Sequence, residues 1–447
     1  MKNIVTDKQV VVVGLGKTGL SCVRYLSQLG CSIIVMDTRL VPPNLSELNK
    51  SFPDILTILG RLDQDVLCNV NEIILSPGVA LASKEIQAAV AVGVRVRGDI
   101  DLFVDAAKAP VVAITGSNGK STVTTLLGDM AVNSGLNVGV GGNLGTPALE
   151  LLGDDKQLYI LELSSFQLET TESLNAECVV LLNVTEDHMD RYANRMAYLQ
   201  AKQRVFRGAK YVVINDDEVL SQPLATIDMK LIHFGLSSPD LKKFSINDRN
   251  GKRFISLGFD DLLPVSEVKL KGQHNLSNAL AALALGSAVG LPTKMMLETL
   301  KVYKGLTHRC EYLRTINGVD YINDSKGTNA GATVTAIKSF GEESLGKVIL
   351  IAGGESKDAD LTPLVKPMAA YGKLAILIGS DAEKLEKVLF NTVEIKQAGS
   401  LEEAVHFAKQ NAKVGDVVLL SPACASFDMF DNYMNRGEVF SNEVAGL

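Results

Sequence analysis

The sequence predicts an α/β protein built on mostly parallel sheets and divided into three successive domains. Two features carry this reading. Apolar strand patterns alternate with helical patterns along the whole chain, and glycine-rich loops twice stand between a strand and a helix. The 447 residues allow about three domains at roughly 150 residues each.

The first segment, 1–98, opens with an apolar strand at Gln9–Val13 and a helix at Leu20–Leu29. A second strand, Ser32–Met36, stops at Asp37, and a short strand at Glu72–Leu75 closes in the turn Ser76-Pro77-Gly78. The second segment, 99–304, begins with a connecting helix at Asp99–Ala109. It restarts the alternation with Val111–Ile114, a glycine loop and a helix from Ser121. Apolar strands follow at Leu158–Leu163, Cys178–Val184 and Tyr211–Ile214. Leu231–Val268 alternates apolar and polar residues like antiparallel strands, and a small-residue helix occupies Asn278–Val289. The third segment, 305–447, carries strands at Val319–Ile322, Lys347–Ala352, Leu374–Ile378 and Asp416–Leu420.

Hydrophobic residues make up 46% of the chain and charged residues 21%, the composition of an ordinary globular protein. A net charge of −7 offers no general attraction to nucleic acid or anionic lipid, so a phosphate-bearing ligand must be held by local groups. No apolar run is long enough to span a bilayer, and the N-terminus does not read as a signal peptide. Six cysteines are scattered without a CxxC pair. Reduced thiols in a cytoplasmic protein are the plain expectation.

Gly14-Leu15-Gly16-Lys17-Thr18-Gly19 matches GxGxxG between a strand and a helix, and Asp37 ends the next strand at the offset that suits a ribose hydroxyl. Alone this indicates NAD. Helix N-terminal amides bind any anion, however, so the loop equally suits the diphosphate of another nucleotide, or merely close helix packing. The loop Thr115-Gly116-Ser117-Asn118-Gly119-Lys120-Ser121-Thr122 is more specific. Its amides can wrap phosphate oxygens, Lys120 can reach the β- and γ-phosphates, and the Ser121 hydroxyl can ligate Mg²⁺. A strict Walker A loop has glycine where this chain has Ile114, so the loop is a variant.

Downstream, Glu162 lies in an apolar strand, where a metal role competes with a solvated edge position. The polar cluster Thr185–Asp190 follows another strand, with His188 a metal ligand or a turn cap. Asp324 and Lys326 follow Val319–Ile322, and Ser421–Asp428 ends the last strand. Cys424 reads as a small buried residue rather than a nucleophile, since no basic partner is evident.

In these motifs the chain resembles the Mur ligases over essentially its whole length. They include Met36–Arg39, Ser76–Gly78, Thr115–Thr122, the stretches 161–169 and 183–192, Gly272–Asn275, His308-Arg309, Asn323–Asn329 and Ser421–Asp428. The phosphate loop and His308-Arg309 are shared with folylpolyglutamate synthetases. Met36–Arg39 and Ser421–Asp428 look like the D-glutamate-adding branch.

The resemblance implies three domains: a Rossmann-like N-terminal one, a central P-loop mononucleotide-binding α/β one and a C-terminal Rossmann-like α/β one. It implies ATP-dependent ligation of D-glutamate to UDP-N-acetylmuramoyl-L-alanine through an acyl phosphate, in cytoplasmic peptidoglycan precursor synthesis. The protein would be a monomer on small-molecule substrates, without nucleic acid or membrane insertion. Gly14, Lys17, Thr18, Asp37, Thr38, Ser76, Pro77 and Gly78 would hold the uridine diphosphate, and Asn143 would touch the acyl substrate. The loop Gly116–Thr122 with Asn275, Arg309 and Asp324 would hold ATP, Lys120 contacting its γ-phosphate. Ser121 and Glu162 would ligate one Mg²⁺. His188 and Lys202, the latter as a carbamate, would ligate a second. Thr328, Lys357, Ser426 and Phe427 would form the D-glutamate pocket, with Tyr433 where an aromatic residue closes it. A carboxylate or histidine near His188 is the candidate general base. From the residues alone Lys202 is an ordinary solvated helix lysine. The rival readings are an NAD-dependent oxidoreductase resting on Gly14–Gly19, and a P-loop ATPase that ligates nothing.

Overall fold

The computed structural model describes residues 8–447 apart from Ser173, Glu186, His188, Asp190, 225–227 and Asp358. Its strands form three sheets, one within each stretch of chain that alternates strands with helices.

In the first sheet, Gln9–Val13 lies at the centre, parallel to Ser32–Asp37 on one side and Glu72–Leu75 on the other. Leu56–Leu59 and Arg95–Arg97 are the edges. The chain winds outwards both ways from Gln9–Val13, so a crevice opens at its carboxyl end, where such sheets take ligands. Val13 pairs with both Met36 and Leu75. That register brings Gly14, Asp37 and Ser76 to one level.

The second sheet has nine strands. Val111–Thr115 lies between Leu158–Glu162 and Cys178–Leu181, and Val138–Gly142 is the outer neighbour of Leu158–Glu162. Tyr211–Asn215, Lys230–Phe234 and Lys243–Arg249 continue it in parallel, and Lys252–Leu257 and Asp260–Pro264 close it as an antiparallel meander. The expectation of antiparallel strands throughout 231–268 therefore fails for Lys230–Phe234. Alternating polarity reports one solvated face, but direction is set by the connection, and this strand is reached by a crossover.

In the third sheet Glu311–Ile316 runs antiparallel to Val319–Asn323, which is followed across the sheet by Val417–Leu420, Val348–Gly353, Gly372–Ile378 and Glu394–Gln397, all parallel. The hairpin turns on Asn317-Gly318, both with positive φ, as a two-residue turn of this hand requires.

The strands absent from the sequence reading are Leu56–Leu59, Arg95–Arg97, Val138–Gly142, Glu311–Ile316 and Glu394–Gln397. Every one lies at a sheet edge. An edge strand buries fewer side chains and lacks the continuous apolar run of its central neighbours.

The apolar core runs unbroken from the first sheet into the second. Val10, Val12 and Val35 belong to one cluster with Tyr159, Leu161 and Val205, joined through Ile100, Leu102 and Phe103 of the connecting helix Asp99–Ala106. The buried clusters of the third sheet include no residue before Val319. Its contacts with the second are largely polar, such as Asn329 Nδ2 to Asp187 Oδ2 at 3.4 Å and His274 Nδ1 to Ser339 Oγ at 2.8 Å. Among the described residues no helix is long and apolar enough to cross a membrane.

The first glycine loop shows why its glycines differ. A Cβ on Gly19 would run into the Gly14 carbonyl oxygen, whereas one on Gly16 would meet nothing within 4 Å. Gly19→Ala should therefore destabilise the protein by about 1–3 kcal/mol in urea denaturation, while Gly16→Ala stays within about 0.5 kcal/mol. Equal midpoints for the two variants would refute this account of the loop.

Candidate active site

Three groups of residues converge at the carboxyl ends of the central strands. The phosphate loop leaves Val111–Thr115 and enters the helix Lys120–Asn133 through Gly119, whose φ is +83° and whose Cβ position is filled by the Asn278 side chain. Loop and neighbouring strand are tied together by the Asn118 amide donating to Asn183 Oδ1 at 2.8 Å and the Ser117 amide to the Asn183 carbonyl at 3.0 Å. Lys120 folds over the loop and donates to the carbonyls of Gly116 (2.8 Å) and Ser117 (2.9 Å). Burial pulls its pKa down, against the pull of the Glu162 and Asp187 carboxylates.

Glu162 is 2% exposed and sits on an inner strand, which removes the solvated-edge alternative. Ser121 Oγ donates to its Oε2 at 2.5 Å, and Asn143 Nδ2 donates to its Oε1 at 2.6 Å. A buried carboxylate favours positive charge beside it, and Lys120 and Lys202 both feel the pull of Glu162. Carboxylate and hydroxyl oxygens are the hard donors that Mg²⁺ takes. Among the described residues no three His, Cys, Asp or Glu side chains gather as a complete cage.

Lys202 is 1% exposed, which overturns its reading as a solvated helix lysine. It and Tyr198 stand four residues apart on one face of the helix Arg195–Gln203 and both turn to the phosphate loop. Lys202 Nζ donates to the Gly116 carbonyl at 2.7 Å and lies 4.7 Å from the Tyr198 ring centroid, while Tyr198 Oη is 3.1 Å from Ser117 Oγ. Burial, with Lys120 beside it, holds the Lys202 pKa well below the ordinary amine value. His188 lies outside the described residues.

A cavity of about 450 Å³ covers the first glycine loop. Gly14, Gly16, Lys17, Thr18, Asp37, Thr38, Arg39 and Ser76-Pro77-Gly78 line it, and across from them stand Asn143 and Gln167 of the second segment. It collects every residue expected there. Both Asp37 oxygens are engaged within the chain: Oδ2 accepts from the Leu15 amide at 2.7 Å and Arg39 Nη2 at 2.7 Å, Oδ1 from the Arg39 amide at 2.8 Å and Nε at 2.9 Å. A carboxylate so occupied is not offered to a ribose, which counts against the NAD reading of this loop. Burial would push the Asp37 carboxyl up, but the Arg39 side chain and the two amides outweigh it and hold it at about 2.

A second, tight cavity of about 90 Å³ lies between the second and third sheets. Asn118, Gly119 and Thr122 meet His274, Asn275 and Asn278 there, facing Arg309, Cys310, Asp324, Lys326 and Gly327. Asn275, Arg309 and Asp324 are thus brought to the phosphate loop. Burial raises the Asp324 carboxyl to about 6, although Ser421 Oγ donates to it at 2.7 Å. Burial lowers His274 to about 4, so its ring is neutral at pH 7. Sequence reasoning left His274, Asn278 and Cys310 out of this site. Their available signals were the Gly272–Asn275 motif, which contains His274 and lies just before Asn278, and the His308-Arg309 pair beside Cys310.

The residues assigned to an amino-acid pocket divide by exposure. Ser426 is 2% exposed, Phe427 is 64% exposed and Lys357, also exposed, stands 5.6 Å from the Phe427 ring centroid. The bridge between Glu355 and Ala425 brings their two loops side by side. Thr328 is half-buried, and Tyr433 lies under Lys326, whose Nζ is 4.2 Å from its ring centroid. Lys326, absent from the residues first assigned, therefore links this pocket to the phosphate loop. Arg436, 1% exposed, holds the backbone here, donating to the carbonyls of Ser325, Gly353, Cys424 and Ala425. Cys424 is fully buried and burial pushes its thiol to about 12, so it stays protonated. None of the six cysteines is in a disulfide. A further cavity, about 930 Å³, lies between Ala80–Ala82 and the helix Arg195–Gln203, and no phosphate-loop residue lines it.

A phosphate loop backed by a buried carboxylate, between two α/β layers that each present a cleft to it, defines a multidomain P-loop nucleotide enzyme. The chain matches the family descriptions "Mur ligase MurD-like, N-terminal domain" over residues 8–98, "Mur ligase middle domain" over 114–286 and "Mur ligase, glutamate ligase domain" over 308–424. It is 54% identical over 447 residues, the whole of both chains, to a UDP-N-acetylmuramoylalanine--D-glutamate ligase of Marinobacter nauticus. Proteins of the same name from Pseudomonas syringae and Pseudomonas aeruginosa are 52% and 50% identical over the same span. Among solved structures its fold is similar to UDP-N-acetylmuramate-alanine ligase of Thermotoga maritima, with TM-score 0.60, 17% identity and 98% and 99% of the two chains covered. The MurF ligase of Thermotoga maritima in complex with ADP also gives a TM-score of 0.60, at 16% identity over all of both chains. The chain belongs to the Mur ligase family.

The low Asp37 value sets a pH dependence of stability. The folded-state pKa lies below that of the unfolded chain, so the stabilisation is complete above about pH 4 and is lost as pH falls towards 2. Asp37→Asn should be less stable than wild type at pH 7, and its urea midpoint should fall less steeply between about pH 4 and pH 2. A variant matching wild type at both ends of that range would disprove the assignment.

Proposed function

We propose that the chain joins D-glutamate to UDP-N-acetylmuramoyl-L-alanine, converting ATP to ADP and phosphate through an acyl phosphate. One observation carries the geometric part. Asn143 lines the cavity over the first glycine loop and hydrogen-bonds Glu162 beside the phosphate loop, so a single side chain joins the acyl-substrate cleft to the phosphoryl site.

On this reading a carboxylate oxygen of the L-alanyl group attacks the γ-phosphorus and the bond to ADP breaks. Lys120, at the loop that wraps the phosphates, offsets charge on the transferring group. The D-glutamate amine then attacks the acyl carbon, gives up its proton, and phosphate leaves. Mg²⁺ ions at Ser121 with Glu162, and at His188 with carbamylated Lys202, would supply charge neutralisation at the phosphate oxygens. Lys202 suits the carbamate because burial favours its uncharged amine: the nitrogen lone pair adds to the carbon of CO₂ and one proton is released. Asn275, Arg309 and Asp324 would hold ATP, and Thr328, Lys357, Ser426, Phe427 and Tyr433, joined by Lys326, D-glutamate.

A nucleotide needs several hundred Å³, far more than the 90 Å³ between the second and third sheets. The third segment, attached by polar contacts rather than a shared core, would swing away to admit ATP and close to keep water from the acyl phosphate. We assign 1–98 to the UDP-substrate, 99–304 to ATP and 305–447 to the amino acid. The enzyme would act as a cytoplasmic monomer in the peptidoglycan synthesis on which cell shape and division depend.

Phosphate release by the pure protein tests the reaction. Release should require ATP, UDP-N-acetylmuramoyl-L-alanine and D-glutamate together, with neutral D-amino acids and L-lysine inactive. Equal use of D-alanine would remove the D-glutamate assignment. Release without any amino acid would favour an ATPase.

Lys202 variants test the carbamate separately. Lys202→Ala should lose most turnover, on the order of a hundredfold for a lost metal-site ligand, and recover part of it with added acetate. Lys202→Arg should be as inactive as the alanine variant. Near-normal turnover of the arginine variant would leave the position supplying only a cation.

A further inference from the structure

The loop 76–83 walls the cavity over the first glycine loop, and its Val79 and Leu81 pack against the core of the first segment. On its outer side Ala80, Leu81 and Ala82 face the open 930 Å³ cavity. Its other hydrogen bonds stay within the first segment, such as Ser76 Oγ to the Gly14 carbonyl and Gln87 Nε2 to the Leu81 carbonyl. Among the described residues, those reaching it from the second segment come from one side chain. Arg191 Nη1 donates to the Pro77 carbonyl at 3.3 Å, and Nη2 donates to the Val79 carbonyl at 3.0 Å.

The same guanidinium is fixed from behind. Nη2 also donates to Glu169 Oε2 at 2.9 Å, and the group lies 4.7 Å from the Phe166 ring centroid. Both partners belong to the helix Ser165–Thr170, which directly follows the Glu162 strand. The side chains of Arg191 and Glu169 are 14% and 18% exposed, so the pair is largely shielded from water. A planar fork can hold two carbonyls, a carboxylate and an aromatic face at once, which an ammonium cannot.

We propose that Arg191 is a positioning residue for the UDP-linked substrate. It clamps Pro77 and Val79 to the helix behind Glu162, and so sets the height of the substrate wall relative to the phosphoryl site. This rests on the ligase reading above and adds to it a residue that touches neither substrate nor phosphate. The clamp acts on one substrate of three. An ion pair that merely supported the fold would affect all three, or none.

The test measures KM for each substrate, and UDP binding by thermal shift, in wild type, Arg191→Ala and Arg191→Lys. Loss of two charge-assisted hydrogen bonds should raise KM for UDP-N-acetylmuramoyl-L-alanine about tenfold or more in Arg191→Ala. KM for ATP and for D-glutamate should stay within about twofold, and Arg191→Lys, which keeps one contact, should fall between. The stabilisation by UDP should shrink in the same order. Glu169→Gln, which loosens the guanidinium without removing it, should shift the same KM in the same direction, and it decides the matter with the lysine variant if Arg191→Ala does not fold. An unchanged KM for the UDP-linked substrate, or all three KM values rising together, overturns the proposal. A wild-type protein without ligase turnover would instead sink the ligase reading, and the UDP titration would still judge the clamp.

Discussion

Two lysine side chains from different elements converge on one carbonyl oxygen, that of Gly116, and both are largely withdrawn from water. Two ammonium groups cannot share such a place at their ordinary pKa, because each is desolvated and each repels the other. The nearest opposing charges are the carboxylates of Glu162 and Asp187. On the ligase reading proposed above, anions would complete this centre: phosphate oxygens at Lys120, and a carbamate formed at Lys202. The neighbouring elements are placed to sustain this arrangement. Tyr198 covers Lys202, Asn183 pins the loop, and Gly119 leaves room for Asn278 at the start of the helix.

The three layers are joined to this centre by different forces, and the difference bears on function. The first sheet shares an apolar core with the second, so the substrate cleft and the phosphate loop keep a fixed relation. The third sheet has cores of its own and meets the second through hydrogen bonds and a small, polar cavity. Polar contacts exchange readily with water, whereas separating a shared apolar core is expensive. On the proposed reading, a rigid pair with a third member free to move would suit a reaction whose intermediate must be shielded after its substrates have entered.

The third layer also concentrates positional control in the backbone. Its loops at the carboxyl strand ends are gathered by the buried Arg436, which finds carbonyls and the Ser325 hydroxyl as hydrogen-bond partners. A guanidinium so placed fixes three separate loops at once, and with them the relation of Ser426 and Phe427 to Lys326 and Tyr433.

Much of this was written in the sequence, for a physical reason. Central strands such as Gln9–Val13 and Glu72–Leu75 are buried on both faces, so they read as continuous apolar runs, and the glycine loops read through the spacing that helix N-termini and close approach require. The phosphate loop, the first cleft and the gathering of Asn275, Arg309 and Asp324 beside that loop were accordingly legible from motifs. Edge strands were not, because partial burial leaves no run to see. Even the Asn317-Gly318 hairpin went unread beside the polar face of Glu311–Ile316. Nor could the sequence show that Lys202 is buried, that Asp37 spends its oxygens on Leu15 and Arg39, or that Arg191 reaches across to Pro77. Local pattern determines which residues form strands, helices and loops. Which side chains lose water, and which meet at sequence separations of 86 to 114, is decided only when the sheets pack against one another.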